Sequence, residues 1–487
     1  MFKEISSIIT FCLCLVVLGC SNEELTNTTV QEPDPVTDTD PVKIPDNNTL
    51  GTITYNSEAY AGYTLFTIHK DTYLVNNCGQ VINHWISDYD RGGAYYLLED
   101  GSLLRSGKYN NPDITYGGLG GIIEKFDWNG NKTWQYIYST SLYSQHHGLY
   151  PMENGNILLL AATRKTYEEA IAAGRDPQYI TEGELYNEQV VEIEPQGNNG
   201  GNIVWEWNVW DHMIQDIDSS KENFGTVALN PQLININFLG ISTGEKDWLH
   251  FNSLQYNKSL DQILLSSQKL NEIYIIDHST TTEEAATNNG GRTGKGGDIL
   301  FRWGNPMAYY QGTEMNQLLF GQHNPQWIAQ GLKDQDKIIL FNNGTGRNPN
   351  YSSIDIINPK VDAIGNYTYV VGTSFGPQQP DWTYKAPNVA DFYSKILSSV
   401  QRLPNGNTLI CEGTKGKIFE INPNNEIVWE YINPETSSGD ILSQGEEAIS
   451  NVFMALKYGE NFPGFSNKNM VPGDPIELNF KIGNCSQ

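Results

Sequence analysis

A repeated pair of apolar strands around an Asn-Gly turn constrains the fold of this chain more than any other feature. Residues 142–160, LYSQHHGLYPMENGNILLL, and residues 394–412, SKILSSVQRLPNGNTLICE, both place an Asn-Gly-Asn turn between two such strands. Asn-Gly between apolar runs is the strongest short signal of a β-hairpin. Related units with an Asp-Gly turn or longer turns occur at 92–105, 249–267 and 322–342.

A second two-strand unit follows each hairpin and carries tryptophan near the end of its last strand. The clearest copies are IIEKFDWNGNKTWQY, VVEIEPQGNNGGNIVWEW and KIFEINPNNEIVWEY, at 122–136, 190–207 and 417–431. More diverged copies occur at 273–277 with 299–303, and at 354–371. One hairpin and one tryptophan unit make four strands, which is one blade of a β-propeller. A β-sandwich or a β-helix is the alternative, but neither needs a tryptophan at the same point of each unit.

Five blades can be counted between Gly92 and Tyr431, and the two ends of the chain complete a further one. Residues 62–86 carry three strands, and we expect residues 451–458 to supply the missing innermost strand. The prediction is an all-β, six-bladed β-propeller over residues 51–487. Its insertions are predicted to be two short helices, at 167–174 and 281–286, and an irregular excursion over 208–247.

The cysteines leave two interpretations open. Closing the ring through the chain ends brings Cys78 and Cys485 into one neighbourhood, where they can form a disulfide in an oxidising compartment. The alternative is that Cys78, Cys411 and Cys485 remain buried thiols.

The N-terminus predicts export. Lys3, the mostly apolar run from Ile5 to Leu18 and the ending Gly19-Cys20 are typical of a signal peptide over residues 1–19, because the run is too short to span a membrane. Gly19-Cys20 resembles the bacterial lipobox, in which the cysteine becomes the lipid-modified first residue. An ordinary signal peptide with an incidental cysteine is the alternative. We expect attachment to the outer membrane through Cys20 alone, on its periplasmic or exposed face.

Composition limits the rest of the chain and its partners. Residues 20–50 are poor in large apolar side chains and rich in acidic and small polar ones, so they are predicted to form a flexible linker. The net charge of −27 argues against nucleic acid as a partner. An anionic substrate would therefore need local positive groups.

Aligning the hairpins by their turns brings histidines into equivalent positions. His147 lies seven residues before the Asn-Gly turn of its blade, and the two blades that follow begin their innermost strands at His250 and His323. Equivalent positions in successive blades surround the propeller axis, so these three histidines are predicted to point into one pocket. His146 should face the other side of its strand.

The remaining positions of this alignment shape the chemistry. Gly93 and Ser398 take the histidine position in two other blades, and Arg347 follows a strand at the same end as His323. Three histidines also suit a metal ion. However, no carboxylate or short His-x-His spacing accompanies them, and an arginine disfavours a cation. Imidazole with guanidinium suits an oxyanion, so neither a metal nor a cofactor is predicted.

These same residues carry a family resemblance. Asp247-Trp248-Leu249-His250-Phe251-Asn252-Ser253, Gln322-His323-Asn324, the Asn-Asn-Gly phrase that ends at Arg347, and LPNGNTLICEG at 403–413 resemble the bacterial aryl-sulfate sulfotransferase family. The resemblance runs from about Gly92 to Tyr458. It implies a six-bladed propeller of the cell envelope that moves a sulfuryl group from an aryl sulfate to a phenol, without a nucleotide donor and through a sulfohistidine. It maps His250, His323 and Arg347 onto groups that hold and polarise the sulfate.

One departure from the family affects the mechanism. The nucleophilic histidine of well-described members follows the arginine, but this chain has no histidine after His323. The nucleophile is then His147, His250 or His323, or the covalent step is absent; a serine such as Ser398 would need a base to activate it. A sulfate-ester hydrolase, a non-catalytic ligand-binding propeller, and a lyase or hydrolase of extracellular glycans are the alternative functions.

Overall fold

The computed structural model describes residues 44–45, 47–115, 117–448 and 450–485. The predicted signal peptide, the lipidation site Cys20 and most of the predicted linker lie outside these residues. Thr49 and Leu50, assigned to the linker, already belong to the folded body. Thr49 donates its backbone N–H to the side chain of Gln444, and Leu50 is fully buried. No helix in the described part of the chain is long and apolar enough to cross a membrane.

Strands dominate the described chain, as its alternating apolar runs and turns predict. In chain order the strands are β1 (Gly51–Tyr55), β2 (Gly62–Ile68), β3 (Asp71–Asn76), β4 (Val81–Ile86), β5 (Arg91–Leu97), β6 (Leu103–Lys108), β7 (Gly121–Phe126), β8 (Lys132–Ile137), β9 (Tyr143–Pro151), β10 (Ile157–Thr166), β11 (Glu184–Gln196), β12 (Gly200–Asn208), β13 (Met213–Ile214), β14 (Ile234–Asn235), β15 (Phe251–Asn257), β16 (Gln262–Ser267), β17 (Glu272–Asp277), β18 (Phe301–Trp303), β19 (His323–Trp327), β20 (Ile338–Asn342), β21 (Ser353–Ile357), β22 (Trp382–Tyr384), β23 (Ser399–Arg402), β24 (Thr408–Glu412), β25 (Lys417–Ile421), β26 (Ile427–Ile432) and β27 (Ala455–Gly459).

Helices are few and short. The two α-helices are α1 (Tyr167–Ala172) and α2 (Thr282–Ala285), and both lie in the predicted helical insertions. Thr166 and Thr281 cap them in reciprocal capping boxes with Glu169 and Glu284. Short 3-10 turns occur at Pro177–Tyr179, Val209–His212, Val227–Leu229, Pro306–Tyr309, Glu314–Asn316, Val389–Asp391, Gly413–Lys415 and Pro463–Phe465.

The strands form a propeller-like arrangement of antiparallel meanders. Three sheets have four strands each, in the orders β27-β2-β3-β4, β15-β16-β17-β18 and β19-β20-β21-β22, and a fourth has the order β1-β26-β25-β24-β23. The meanders β5 to β8 and β9 to β12 join into one eight-stranded sheet through a single parallel pair, Gly93 with His147. The all-β propeller prediction is therefore confirmed in its general form. The count of six blades stays a prediction, because these two meanders share one sheet.

The repeated tryptophans form hydrogen bonds to the neighbouring meander, which gives this residue a structural role in the second unit. Trp85 donates its indole N–H to Asp127 O, Trp134 to Gly200 O, and Trp429 to Asn77 O. In each case the acceptor belongs to the neighbouring four-stranded meander. Each of these tryptophans therefore buries its ring against the neighbouring meander and satisfies its polar N–H at the same time.

One predicted strand lies elsewhere. The sequence placed the outer strand that pairs with β21 within residues 354–371, but β21 pairs with β22, which begins at Trp382. Tyr367 and Phe375, in the intervening segment, pack instead against Phe301 of the preceding sheet. Their apolar surface is thus buried between two sheets rather than within a strand of their own.

The chain ends close the arrangement twice. The C-terminal strand β27 pairs with β2, as predicted, from Gly62 with Gly459 to Phe66 with Ala455. A second closure was not predicted, because β1 pairs with β26. Cys78 and Cys485 form a disulfide across a sequence separation of 407 residues, whereas Cys411 is a buried thiol.

Replacing Cys485 by serine is expected to lower the free energy of unfolding by about 2–4 kcal/mol. The disulfide restricts the unfolded chain by linking residues 407 apart, and that restriction is lost in the variant. Urea unfolding of both proteins measures the difference. A reductant should lower the stability of the wild type by a similar amount and leave the variant unchanged; equal stability of the two proteins without reductant would contradict the prediction.

Candidate active site

Several inner strands carry a backbone irregularity at or near their start. The inner strands β5 and β9 pair in parallel, so these two begin at the same end. The backbone is left-handed at His147 (φ 43°), His250 (φ 48°), Asn324 (φ 51°) and Ser398 (φ 88°). The strand register shifts beside the first three, as in a β-bulge. Bulges and positive φ values concentrate at functional sites, where they re-aim side chains.

His147, His250 and His323 lie in one cluster. The rings of His147 and His250 meet edge to face, with their centroids 4.7 Å apart, and Phe453 packs 6.1 Å from the ring of His147. His323 interacts electrostatically with His147 and with His250. His147 and His323 are buried, and His250 is partly exposed. The positions aligned from the hairpin turns are thus brought together by the fold.

His146 belongs to this cluster as well, contrary to the prediction that it faces the other side of its strand. Its Nδ1 lies 2.9 Å from Nδ1 of His147, and the two rings are perpendicular. The left-handed backbone of His147 breaks the usual alternation of a strand, so two successive side chains reach the same side. His146 therefore lies within the site and cannot serve as a control residue outside it.

Glu188 on β11 sets the protons of this histidine pair. Its Oε2 lies 2.8 Å from His146 Nε2, so that nitrogen carries a proton and donates it. His146 Nδ1 is then an acceptor for His147 Nδ1–H. Burial first, and then the charges of His250, His146 and His323, hold the pKa of His147 well below its ordinary value. His147 is consequently a neutral imidazole at neutral pH.

Asp247 raises the pKa of His250, whereas the pKa of His147 is lowered. Its Oδ2 lies 2.5 Å from His250 Nδ1. Burial alone would lower the pKa of His250, but the charge and hydrogen bond of Asp247 outweigh it and raise that pKa. The same pair holds the pKa of the Asp247 carboxyl below its ordinary value although burial opposes this. His250 therefore favours the cationic form, with a proton on Nε2 to donate.

Two neutral hydrogen-bond acceptors hold the Nδ1 nitrogen of His323. Its Nδ1 lies 3.0 Å from Gly321 O and 2.8 Å from Asn343 Oδ1. Burial lowers the pKa of His323 to about 4; the charge of His250 adds to this, and the hydrogen bond that His323 donates to Asn343 offsets it only in part. The site thus places one imidazole that favours the cation beside two that stay neutral.

A small cavity opens beside His323. Its lining also includes Asn252, Ser253, Asn324, Ser398 and Phe453. Of these, Ser398 takes the aligned histidine position in the sheet of β23. The hydroxyl of Ser398 donates to Ser394 Oγ and accepts from Gly413 N–H. These partners include no imidazole or carboxylate, so nothing among them activates the hydroxyl as a nucleophile.

The contacts of Arg347 among the described residues lie outside the histidine cluster. Its guanidinium donates to Tyr351 O at 3.0 Å and stacks between the rings of Tyr351 and Phe320, which lies three residues before His323. Among the described residues, no hydrogen bond or ring contact joins Arg347 to the three histidines. Burial lowers its pKa, although Asp355 opposes this.

Sequence reasoning missed the groups that control the histidines. It found no carboxylate beside them, which was wrong for Asp247 and for Glu188. Asp247 could have been noticed three residues before His250. Glu188 comes from another strand, and no local signal marks it. The described residues contain no group of three or more His, Cys, Asp or Glu side chains arranged to hold a metal ion.

Comparisons with known proteins assign the family. The sequence model of the family described as arylsulfotransferase (ASST) matches residues 64–444, which is most of the chain. No curated protein sequence matches. Distantly similar solved structures include a Bacteroides caccae protein of unknown function (10% identity, 82% of this chain and 100% of that chain covered, TM-score 0.42) and a virginiamycin B lyase from Staphylococcus aureus (12% identity, 86% and 96% covered, TM-score 0.37). A third is a 6-phosphogluconolactonase-like protein from Bacteroides fragilis (9% identity, 83% and 99% covered, TM-score 0.39). Likenesses at this distance carry no argument about function.

Proposed function

The chain belongs to the arylsulfotransferase (ASST) family, and on that premise we propose that it moves a sulfuryl group from an aryl sulfate ester to a phenolic acceptor. No nucleotide sulfate donor takes part. The observation that carries the proposal is the contact of Asp247 with His250, which raises the pKa of that imidazole, in one cluster with His147 and His323, whose pKa values burial lowers. Breaking an aryl sulfate needs a proton for the leaving oxygen and a group that receives or holds the sulfuryl unit.

His250 supplies the proton in this proposal. Negative charge grows on the phenolic oxygen as the S–O bond breaks, and Nε2–H of His250 neutralises it, while Asp247 stabilises the ring in its cationic form. The neutral His250 then takes the proton of the accepting phenol. One residue thereby serves both halves of the transfer.

The sulfuryl oxygens need donors, and Asn324 and Arg347 are the candidates. The side-chain oxygen of Asn324 accepts hydrogen bonds from Val400 N–H and from Gln326. These two bonds orient the amide nitrogen of Asn324 away from Val400 and Gln326. Asn324 lines the cavity beside His323. Arg347, which stacks on Phe320 three residues before His323, provides a positive charge in a chain whose net charge is −27. Guanidinium and amide donors suit a tetrahedral oxyanion.

The architecture and location belong to the same proposal. We propose that the two meanders of the eight-stranded sheet are separate blades, which make six with the three four-stranded sheets and the five-stranded sheet. We also propose that the protein is a lipoprotein of the cell envelope, anchored to the outer membrane through Cys20. The Cys78–Cys485 disulfide supports export, because disulfides persist in oxidising compartments. Membrane fractionation of the wild type and of Cys20→Ser tests the anchor, which is refuted if both stay in the membrane fraction.

Release of nitrophenol from 4-nitrophenyl sulfate, with and without added phenol, tests the activity. Turnover that depends on phenol, with phenyl sulfate as product, supports transfer. Turnover independent of phenol, with free sulfate as product, would mean a hydrolase. Binding of the ester without turnover would mean a ligand-binding propeller, and activity on a glycan alone would mean a lyase or hydrolase of another class.

The pH dependence of the two half-reactions should differ in direction. For the donor, kcat/KM is expected to fall as pH drops through about 4, where His323 becomes charged, and to fall again as pH rises through the raised pKa of His250. For the acceptor, the reacting enzyme needs neutral His250, so kcat/KM should fall as pH decreases. Initial rates over a pH series, with each substrate limiting in turn, measure both limbs. Identical profiles for donor and acceptor would contradict the shared role of His250.

Gly118→Ala should disturb the histidine cluster at a position with no reactive side chain. A methyl group there would lie 2.1 Å from His147 Nε2, and the backbone has φ +72°. Displacement of His147 is expected to lower kcat/KM by about a hundredfold. Gly130→Ala is the matched control, because its φ is +82° and its Cβ would meet nothing within 4 Å. Equal loss in both variants would show that backbone strain, rather than His147, causes the effect.

A further inference from the structure

We propose that His323 is the nucleophile, and that its Nε2 accepts the sulfuryl group from the donor ester. This assignment rests on the proposed function. It names the residue that takes the place of the nucleophilic histidine that follows the arginine in well-described family members. The geometry that points to His323 is its anchoring through Nδ1 and its position on the cavity. The other histidines of the cluster lack one or more of the properties that this step needs.

The hydrogen bonds of His323 fix which nitrogen carries the proton. The side-chain nitrogen of Asn343 donates to Ser394 O at 2.8 Å and to Leu397 O at 3.1 Å. That pairing orients the amide so that its oxygen faces His323 Nδ1, beside the carbonyl of Gly321. Two acceptors require a proton on Nδ1. In the neutral ring the lone pair is then on Nε2.

The neutral form of His323 dominates at neutral pH. Burial is the main cause of its low pKa, about 4, and the neighbouring charge of His250 adds to it. Neutral imidazole is the form that attacks, because protonation occupies the lone pair. His323 therefore has its lone pair free, while His250 holds its proton, between about pH 4 and the raised pKa of His250.

The competing side chains are less suitable. His250 favours the cation, which has no lone pair to offer. His147 is neutral, but Gly118 packs closely against the edge of its ring that bears Nε2. Ser398 lines the cavity with a hydroxyl bonded to Ser394 and Gly413, and no base contacts it among the described residues. His323 alone in this set combines a neutral ring, an oriented lone pair and a place on the cavity wall.

The step balances with the groups present. The Nε2 lone pair of His323 forms an N–S bond as the ester S–O bond breaks. The electron pair of that bond goes to the phenolic oxygen, which takes the proton from His250 Nε2. The product is a ring with Nδ1–H and Nε2–SO₃⁻, together with the free phenol. The accepting phenol then loses its proton to His250 and its oxygen displaces Nε2 from sulfur.

The acceptors on Nδ1 also stabilise this intermediate. Positive charge develops on the imidazole as the N–S bond forms, and it strengthens the hydrogen bonds from Nδ1–H to Gly321 O and Asn343 Oδ1. Both acceptors are held in place before the reaction, so the bonds need no rearrangement. The neutral Asn343 stabilises the charge as it appears, but does not hold a second proton, on Nε2, in the resting ring.

Trapping the intermediate tests the assignment. The wild type is incubated with 4-nitrophenyl sulfate without acceptor, quenched at high pH, and analysed by intact and peptide mass. One added SO₃ group on the peptide that contains His323 is expected, with a burst of nitrophenol equal to the enzyme. His323→Asn should show neither adduct nor burst. His323→Gly should regain nitrophenol release when imidazole is added, because the free ring can take the place of the missing one.

The control variant and the leaving group separate the possible failures. His250→Asn should still form the adduct from the nitrophenyl ester, whose leaving group needs little protonation, but react far more slowly with phenyl sulfate. An adduct on His147 or His250, an adduct that persists in His323→Asn, or acceptor-dependent turnover without any adduct would overturn the nucleophile assignment and leave the proposed transfer intact. Absence of nitrophenol release from the folded wild type would overturn the proposed function itself.

Discussion

Asp247→Asn is expected to lower kcat/KM for phenyl sulfate by about 10²–10⁴-fold, which is the usual contribution of a general acid. The loss should be much smaller for 4-nitrophenyl sulfate, whose leaving oxygen is stable without a proton. The reason is the 2.5 Å contact between Asp247 and His250, which holds the pKa of the imidazole above its ordinary value. Without that carboxylate, burial lowers the pKa and the proton is lost from the resting enzyme.

The pH profile distinguishes this effect from simple damage. The basic limb of kcat/KM for the donor should move to lower pH in Asp247→Asn, because the group that must stay protonated has become more acidic. The acid limb, set by His323, should stay near pH 4. An unchanged basic limb would contradict the role of Asp247.

A matched control is available in the adjacent part of the same sheet. Asp261 lies 2.7 Å from Nδ1 of His278, and Glu192 lies at the other ring nitrogen. The two carboxylates raise the pKa of His278 to about 9 against the effect of burial. Asp261→Asn removes a carboxylate from a histidine of similar surroundings outside the cluster. It should change stability but not the dependence of rate on the leaving group.

Much of the fold follows from local signals in the sequence. Asn-Gly and Asp-Gly turns set the register of their hairpins, and the period of the repeats placed His147, His250 and His323 at one end of the inner strands. The pairing of β27 with β2 was predictable because three strands near the N-terminus lacked an inner partner. The pairing of β1 with β26 was not, since Gly51–Tyr55 carries no repeat signal.

The chemistry of the site was less predictable, because it depends on contacts between distant segments. Whether a histidine is charged or neutral depends on what lies behind its ring. For His146 that group is Glu188, 42 residues away, and for His323 it is Asn343, 20 residues away. The predicted direction of His146 relative to its neighbour His147 was also wrong, because the positive φ of His147 breaks the alternation of a regular strand. A repeat therefore predicts which residues meet, but not which proton each of them carries.

Asn343→Asp, a nearly isosteric change, is expected to slow the first half-reaction below neutral pH by making His323 more basic. A carboxylate 2.8 Å from Nδ1 favours the imidazolium form, so the pKa of His323 should rise from about 4 by about 1–3 units. The acid limb of kcat/KM for the donor should move to higher pH by the same amount, because a smaller fraction of the ring has its lone pair free. The burst of nitrophenol at a fixed low pH should slow accordingly and recover as pH rises.

The substitution also disturbs packing, so stability needs its own control. Asn343 is fully buried and donates to two carbonyl oxygens, which a carboxylate cannot satisfy; a loss of about 1–3 kcal/mol is expected. Asn433→Asp is matched, since Asn433 is equally buried and donates to Glu435 O and to Ser450 Oγ. That variant should be destabilised with its acid limb unmoved. If Asn343→Asp is folded and its acid limb stays near pH 4, then His323 is not the group that must be neutral, and a different imidazole receives the sulfuryl group.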